Sequence, residues 1–502
     1  MTATYITTTI PYVNARPHIG HALELVQADV LARYRRGRGD AVRFQAGTDD
    51  NSLKNVLAAE AAGVGVRDFV DRNAGAFLAL GDALSLTVDD FIRTSRDPRH
   101  RPGVERFWRA CSHDLYRRRY EGLYCTGCEQ FYTPPELRDG RCPEHETEPE
   151  PVSEDNWFFR LSRYAGPLRE AIAAGRLRIE PAGRRNEVLA FIDGGLADFS
   201  VSRPAGRAGG WGIPVPGDPG QVIYVWFDAL CNYVTALAPD EVYQRWWGGP
   251  GNRTHLLGKG VLRFHAVYWP AMLLSAGLPL PTGIFVHDYL TAGGRKISKS
   301  AAGAAALDVG ALEPAALAAR YGADAVRWWL LREVPRVGDA DFTVERLVAR
   351  ADDELANGLG NLVNRVVTMV GRYRDGGIPA PGPVPPGGED LEVAILRAGS
   401  LVGAALDEFD FRRATAAVWA IADEANRFVN RARPWDLARA GDAAGPRLDA
   451  VLYLLARACT ALGRELTPFL PDAAARITSQ CTPRGGRLPA PSPVFRRLAL
   501  TS

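Results

Sequence analysis

Lysine is nearly missing from this chain. Of 60 Lys and Arg residues only Lys54, Lys259, Lys296 and Lys299 are lysine. A sequence that writes almost every surface cation as arginine places a lysine where a compact, mobile ammonium is needed instead of a planar fork. Long apolar runs are missing too: no stretch is long enough to span a bilayer, and the first residues show neither the basic start nor the apolar stretch of a signal peptide. A soluble cytoplasmic protein is the expectation. The seven cysteines are odd in number, and Cys111, Cys231, Cys459 and Cys481 follow no regular spacing, which argues against a disulfide framework. A net charge of +2 carries no global polyanion signal, so any nucleic-acid binding has to come from local patches. What the chain does have is bulk. Its 502 residues, 46% of them hydrophobic, suffice for more than one packed domain.

The most informative stretch is Pro11-Tyr12-Val13-Asn14-Ala15-Arg16-Pro17-His18-Ile19-Gly20-His21. It follows a β-branched run, residues 4–10, that reads as a strand, and precedes residues 22–36, whose apolar spacing reads as a helix. In a strand, turn, helix layout the first N–H groups of the helix and their partial positive charge face a phosphate, and Gly20 lets a ligand approach the backbone. His18 and His21, three residues apart, share a helix face and can both donate to one anion. A surface turn carrying two solvated histidines is the competing reading of this stretch taken alone. Downstream, residues 42–46 read as a second strand ending in Gly47-Thr48-Asp49-Asp50, with helical patterns over 53–62 and 66–84. Strand C-termini collect ligands in such sheets, so Asp49 and Asp50 face the same crevice as the histidines. Either a carboxylate there holds a substrate ammonium, or it caps the next helix.

The α/β alternation breaks at about Tyr116. Residues 120–213 are richer in Pro and Gly and hold Cys125-Thr-Gly-Cys128 and, after thirteen residues, Cys142-Pro-Glu-His145. Two such knuckles supply four ligands at the spacing of a closed, structural zinc site; a cluster of reduced buried cysteines is the alternative. Alternation resumes at Gln221, with strands expected over 222–226, 254–257 and 283–289 and helices over 228–237 and 262–276. Trp226, Phe227, Ala229 and Tyr233 wall an apolar pocket at the crevice or serve as plain core. The last strand runs toward Lys296-Ile297-Ser298-Lys299-Ser300, which holds two of the four lysines and reads as a phosphate-binding loop in preference to a solvated one. After about Val309 the chain is helical: 315–331, 344–373, 391–409, 412–431 and 447–466 are amphipathic and read as a helix bundle. Residues 376–390, with five prolines and five glycines, are a loop within it.

His18-Ile-Gly-His21 and Lys296-Ile-Ser-Lys299-Ser300, in that order, resemble the two signature motifs of class I aminoacyl-tRNA synthetases. Within that class the chain is similar to the methionyl-tRNA synthetase branch. Pro11-Tyr-Val-Asn14, Gly47-Thr-Asp49, Tyr224-Val-Trp-Phe-Asp-Ala229, Arg263-Phe-His265, the paired knuckles and Leu359-Gly-Asn-Leu-Val-Asn-Arg365 carry that likeness, which covers essentially the whole chain. The resemblance implies an α/β fold: a Rossmann-like parallel-sheet catalytic domain with a zinc-knuckle insertion, followed by an α-helical bundle that binds the anticodon. The implied boundaries are 1–115 and 216–290 for the two catalytic halves, 116–215 for the insertion, 291–345 for the lysine-loop and stem-contact region, and 346–502 for the helical domain. The implied activity is that of a ligase: methionine is activated by ATP, with Mg²⁺, and transferred to the 3′ end of a tRNA bearing a CAU anticodon.

Residue by residue, the resemblance implies that Ile10, Tyr12, Trp226, Ala229, Tyr233, Val261 and His265 line the methionine side-chain pocket and that Asp49 holds the amino group. His18, His21, Lys296 and Lys299 are the implied catalytic residues, joined by Gly20 and Ser298 in holding ATP. Cys125, Cys128, Cys142 and His145 would hold Zn²⁺, and Asn361, Arg365 and Trp435 would read the anticodon. Some positions depart from the family pattern. Asn51-Ser52 stands where His-Gly is usual, Gly260 where an aspartate near the substrate is usual, and Asp288 where glycine is usual. Two other readings follow from these departures: a diverged paralogue that activates another amino acid or acceptor, and a non-catalytic tRNA-binding protein.

Overall fold

The structure, a computed structural model, describes residues 2–126, 130–143, 146–207, 209–297 and 312–498. Its centre is a six-stranded parallel sheet of β1 (Ala3–Thr8), β2 (Ala41–Thr48), β3 (Asp90–Arg93), β4 (Arg178–Glu180), β5 (Asn252–Gly258) and β6 (Gly283–His287). The spatial order is β3-β2-β1-β5-β6-β4. β1 and β6 are buried almost throughout, which is why they read as β-branched or apolar runs without alternation. The chain leaves β1 toward β2 and returns on its other side as β5. Such a switch in direction opens a crevice beyond the strand C-termini, here between β1 and β5.

Two expectations change. The stretch 116–215 is not wholly an insertion, because β4 lies within it and pairs with β6, Gly283 opposite Arg178. A three-residue strand is too short to show any period. The strand expected over 222–226 divides: Asp218–Ile223 pairs antiparallel in a small separate sheet, and Val225–Leu230 is helical. The run is apolar throughout, and periodicity cannot separate a short buried strand from a short buried helix.

Three helices frame the crevice: α1 (Ile19–Gly37), α2 (Leu53–Ala61) and α3 (Val225–Leu230). The helical half begins with Pro314–Tyr321 and Ala323–Arg332, which part at Gly322, where φ is +90° and a single helix was expected. It ends in a bundle of α4 (Asn361–Arg374), α5 (Glu389–Asp407), α6 (Phe411–Ala432), α7 (Pro434–Arg439), α8 (Gly445–Leu466) and α9 (Pro471–Cys481). No helix among the described residues is long and apolar enough to cross a membrane.

The two halves share one apolar core, from Ile6, Leu23 and Val26 through Trp328 and Trp329 to Phe428, Leu452 and Leu470. Inside it lies an ion pair with neither side chain exposed: Arg327 Nη2 is 2.8 Å from Asp29 Oδ2 on α1. Arg327 also donates to the carbonyls of Phe469 (2.7 Å), Pro468 (3.0 Å) and Leu84 (3.0 Å). Asp29 accepts from the Thr87 N–H and hydroxyl, each at 2.7 Å, and from Arg33 Nε at 2.7 Å. A buried pair is tolerated when its remaining donors and acceptors are satisfied in this way.

Candidate active site

The signature histidines are bonded to the start of α1. His18 is its N-cap: Nδ1 accepts from the Gly20 N–H at 3.2 Å, while His21 Nδ1 accepts from the His18 N–H at 3.1 Å. This reciprocal cap satisfies two otherwise orphaned helix-start donors. It also assigns the neutral rings' protons to Nε2, because an Nδ1 that accepts cannot carry one. The rings lie 3.8 Å apart, so two N–H groups are paired on one side of the helix start. Gly20 serves this arrangement directly, since a Cβ there would press on the His18 ring at 3.0 Å.

The crevice is a cavity of about 760 Å³. Ile10, Tyr12, His18, Gly20, His21, Asp49, Trp226, Ala229, Tyr233, Val261 and His265, drawn from distant parts of the chain, all line it. Trp226 stacks on Phe264 at 3.7 Å and meets Tyr12 edge to face at 6.3 Å. At the buried end, His265 Nδ1 donates to the Val261 carbonyl at 3.0 Å and Nε2 accepts from the Tyr233 hydroxyl at 2.8 Å. Burial holds the His265 imidazole down at about 4, with the Val261 bond opposing, so the ring is neutral at physiological pH. Burial likewise pushes the Tyr233 hydroxyl up, with the Glu24 carboxylate adding to it, so both members of this hydrogen bond are neutral. Gly47 is required by crowding, because any Cβ would strike the Ile92 carbonyl and meet Ile10 at 3.0 Å.

The loop after β2 excludes one of the two readings of its carboxylates. Ser52 caps α2, its hydroxyl accepting from the Lys54 N–H at 3.0 Å, so neither aspartate is the cap. Asp50 turns away to Arg93 at 2.9 Å, Ser95 at 2.7 Å and Thr48 at 2.8 Å. Burial still lifts its carboxyl above the usual range. Asp49 faces the cavity. The departures are bonded as well. Asn51 Nδ2 donates to Asp228 at 2.8 Å, and Asp288 binds Arg184, accepts from the Gly338 N–H at 2.7 Å and lies 3.7 Å from Lys259 Nζ.

A family model described as tRNA synthetases class I (M) matches residues 4–150 and 132–367. The chain belongs to that family. Its relatives include the methionine–tRNA ligase of Brucella suis biovar 1, 38% identical over 98% of this chain and 97% of the relative, and that of Thermosynechococcus vestitus, 40% identical over 95% and 89%. Mycobacterium tuberculosis methionyl-tRNA synthetase, solved with methionyl-adenylate, superposes with a TM-score of 0.92 at 37% identity, covering 99% of this chain and all of that one.

In this synthetase the described part of the lysine loop ends at Ile297. Lys296 belongs to a short strand opposite Thr291, and Ser298 and Lys299 lie outside the described residues. The other two lysines stand at the crevice: Lys54 Nζ is 5.1 Å from the Tyr12 ring centroid, and Lys259, between two cavity-lining glycines, is 2.6 Å from Asp339. Of the knuckle residues, Cys125 and Cys142 are buried together against Tyr132, while Cys128 and His145 lie outside the described residues. Among the described residues no group of three or more potential metal ligands comes together. Asn361 is exposed at the start of α4, Arg365 is half-buried one turn on, and Trp435 is half-buried on α7.

Sequence reasoning missed Glu24. It accepts from the Thr9 N–H and hydroxyl, both at 2.6 Å, and its other oxygen is 3.0 Å from His287 Nε2, so it ties the ends of β1 and β6 to α1. The available signal was an acid three residues beyond His21, inside an apolar helical stretch.

Proposed function

We propose that this synthetase is a cytoplasmic methionine–tRNA ligase that activates methionine with ATP and transfers it to a tRNA with a CAU anticodon. The observation that carries this reading is the single cavity in which every expected amino-acid-binding residue meets the paired signature histidines. In the first step a methionine carboxylate oxygen attacks the α-phosphorus, and the bond to the β-phosphate oxygen breaks to release pyrophosphate. In the second a ribose hydroxyl at the tRNA 3′ end attacks the carbonyl carbon and AMP leaves. The first step needs little proton transfer, so rate comes from alignment and from charge placed where the phosphates develop it.

His18 and His21 would donate their Nε2–H groups to the phosphates, helped by Gly20 at the helix start and by Lys296, Ser298 and Lys299 from the loop. The described cavity lining holds one lysine, Lys54, and no arginine, a charge deficit that fits Mg²⁺ arriving on the triphosphate. Asp49 would hold the amino group. The thioether would lie among Ile10, Tyr12, Trp226, Ala229, Tyr233, Val261 and His265, selected by shape and by sulfur–aromatic contact, because it offers no charge to read.

A structural zinc fits Cys125 and Cys142, two buried thiols brought together from separate knuckles, and Cys128 and His145 would supply the other two ligands. When bound it would brace the segment that presents the tRNA acceptor end. Residues 346–502 would form the anticodon-binding domain, with Asn361, Arg365 and Trp435 reading bases. ATP–pyrophosphate exchange across the twenty amino acids tests the proposal. Exchange with methionine alone is expected; exchange driven by another amino acid, or by none, overturns it.

A further inference from the structure

Methionine would be held by two separate parts of the fold, its amino group by the loop after β2 and its side chain by α3 and the residues behind it. Something has to fix their spacing. Asp228, 1% exposed on α3 between Trp226 and Ala229, is bonded on both oxygens. Oδ2 accepts from Asn51 Nδ2 at 2.8 Å, and Oδ1 is 2.6 Å from Nε2 of the fully buried His100, whose Nδ1 is 2.8 Å from Thr235 Oγ1. Asn51 also reaches the other way: its backbone N–H donates to Asp49 Oδ1 at 3.2 Å.

We propose that Asn51 is a positioning residue for the amino acid, a strut that holds the Asp49 carboxylate at a set distance from the helix walling the side chain. The proposal rests on the reading of Asp49 given above. The chemistry suits the place. Asp228 is a buried carboxylate that needs donors, and an amide supplies one without adding charge at any pH. The titratable and charged groups around position 51 are Asp49, Asp50 with its partner Arg93, Asp228 and His100, with Lys54 on the cavity side. A change that removes the amide leaves an Asp228 oxygen unbonded and unties residue 51 from α3, so the backbone N–H that it presents to Asp49 is no longer held at a fixed distance from that helix. Both effects fall on methionine binding before they fall on phosphate chemistry.

The test compares Asn51→Ala, Asn51→His, Asn51→Asp and Asp49→Ala, with methionine affinity measured by calorimetry, KM and kcat by pyrophosphate exchange, and folding by thermal melting. Asn51→Ala is expected to raise the methionine KM about tenfold with a smaller loss in kcat. Asn51→His keeps an N–H donor and should recover most of the affinity. Asn51→Asp sets two carboxylates face to face, which have to share a proton, so its affinity deficit relative to the unmodified protein should narrow as pH falls from about 8 to about 6. A purely structural defect would not follow pH in that way. Normal methionine affinity in Asn51→Ala while Asp49→Ala loses it would overturn the strut, as would an Asn51→Asp deficit that ignores pH. Normal affinity in Asp49→Ala would instead overturn the reading of Asp49 itself.

Discussion

The crevice and the face of the bundle proposed to read the anticodon are built in opposite ways. In the crevice several polar side chains are buried or half-buried and held by bonds to other parts of the fold: His265 to Val261 and Tyr233, Glu24 to Thr9 and His287, Asn51 to Asp228. On the bundle Asn361 is exposed, Arg365 forms no ion pair with a described acid, and Trp435 is half-buried with the Arg433 guanidinium 5.8 Å from its ring centroid. The arginines nearby are exposed and pair locally, Arg427 with the half-buried Glu424 at 2.8 Å and Arg439 with Asp436 at 3.3 Å, while Arg431 donates to the Gly387 carbonyl at 3.0 Å. Such exposed pairs contribute little and exchange readily for phosphates. A small molecule of fixed shape is met by bonds already made, and a flexible polymer by groups whose bonds are cheap to change.

That contrast can be broken most severely at the lysine loop. Lys299→Ala should slow adenylate formation by roughly 10²–10³-fold while changing methionine affinity little, since the contact strengthens only as charge develops. Rapid-quench measurement of the first turnover separates the two, and an unchanged rate constant would remove Lys299 from the chemistry.

Next in size is an acid effect at the buried end of the crevice and in the core behind it. His265 is held near 4 and His255 well below its ordinary value, both by burial, whereas the unfolded chain takes up these protons near 6.5. Their folded values are depressed, so their contribution to stability is complete above about 6.5 and is lost as pH falls toward 4, on the order of 3 kcal/mol for His265 alone. Urea titrations across that window should show the loss, and His265→Gln should flatten the slope.

On the bundle, Trp435→Ala should cost about 1–3 kcal/mol in tRNA recognition from lost base stacking, with pyrophosphate exchange near normal. If activation and thermal stability fall together, Trp435 is core and the contrast between the two regions collapses. Cys142→Ser should lower zinc content from close to one per chain and hinder aminoacyl transfer more than activation; protein purified without chelator that carries no zinc would dismiss the site. The smallest effect belongs to Arg439→Ala, which should weaken matched and mismatched anticodons alike and lower the salt slope by roughly one.

The parts of the crevice that were legible are those where one residue type announces its chemistry. Paired histidines at a helix start, a Gly-Thr-Asp strand end and lysines in an arginine-rich chain are local signals, and the histidines and Asp49 do meet in one cavity. Other parts depend on distant partners. Asp228 and His100 are ordinary residues until the fold brings them to 2.6 Å, whereas the Ser52 cap, a bond to the Lys54 N–H two residues on, is a local signal that the neighbouring aspartates obscured. Trp226 was expected on a strand and lies on a helix, which changes its face without removing it from the cavity. α7 and α9 went unseen for another reason: both open on a proline shortly after a preceding helix, and proline reads as an ending before it reads as a beginning.

The Arg327–Asp29 pair bears on how this protein can be cut. A fragment ending at the start of the bundle would keep Arg327 and Asp29 but lose the Phe469 and Pro468 carbonyls and the leucines that enclose them. Water would reach a guanidinium that was sealed, and the apolar side of α1, the helix that carries His21, would become a surface. A shortened catalytic half would therefore be a poor reagent unless residues 468–481 were grafted back, or Arg327 and Asp29 were replaced together by apolar side chains of similar volume.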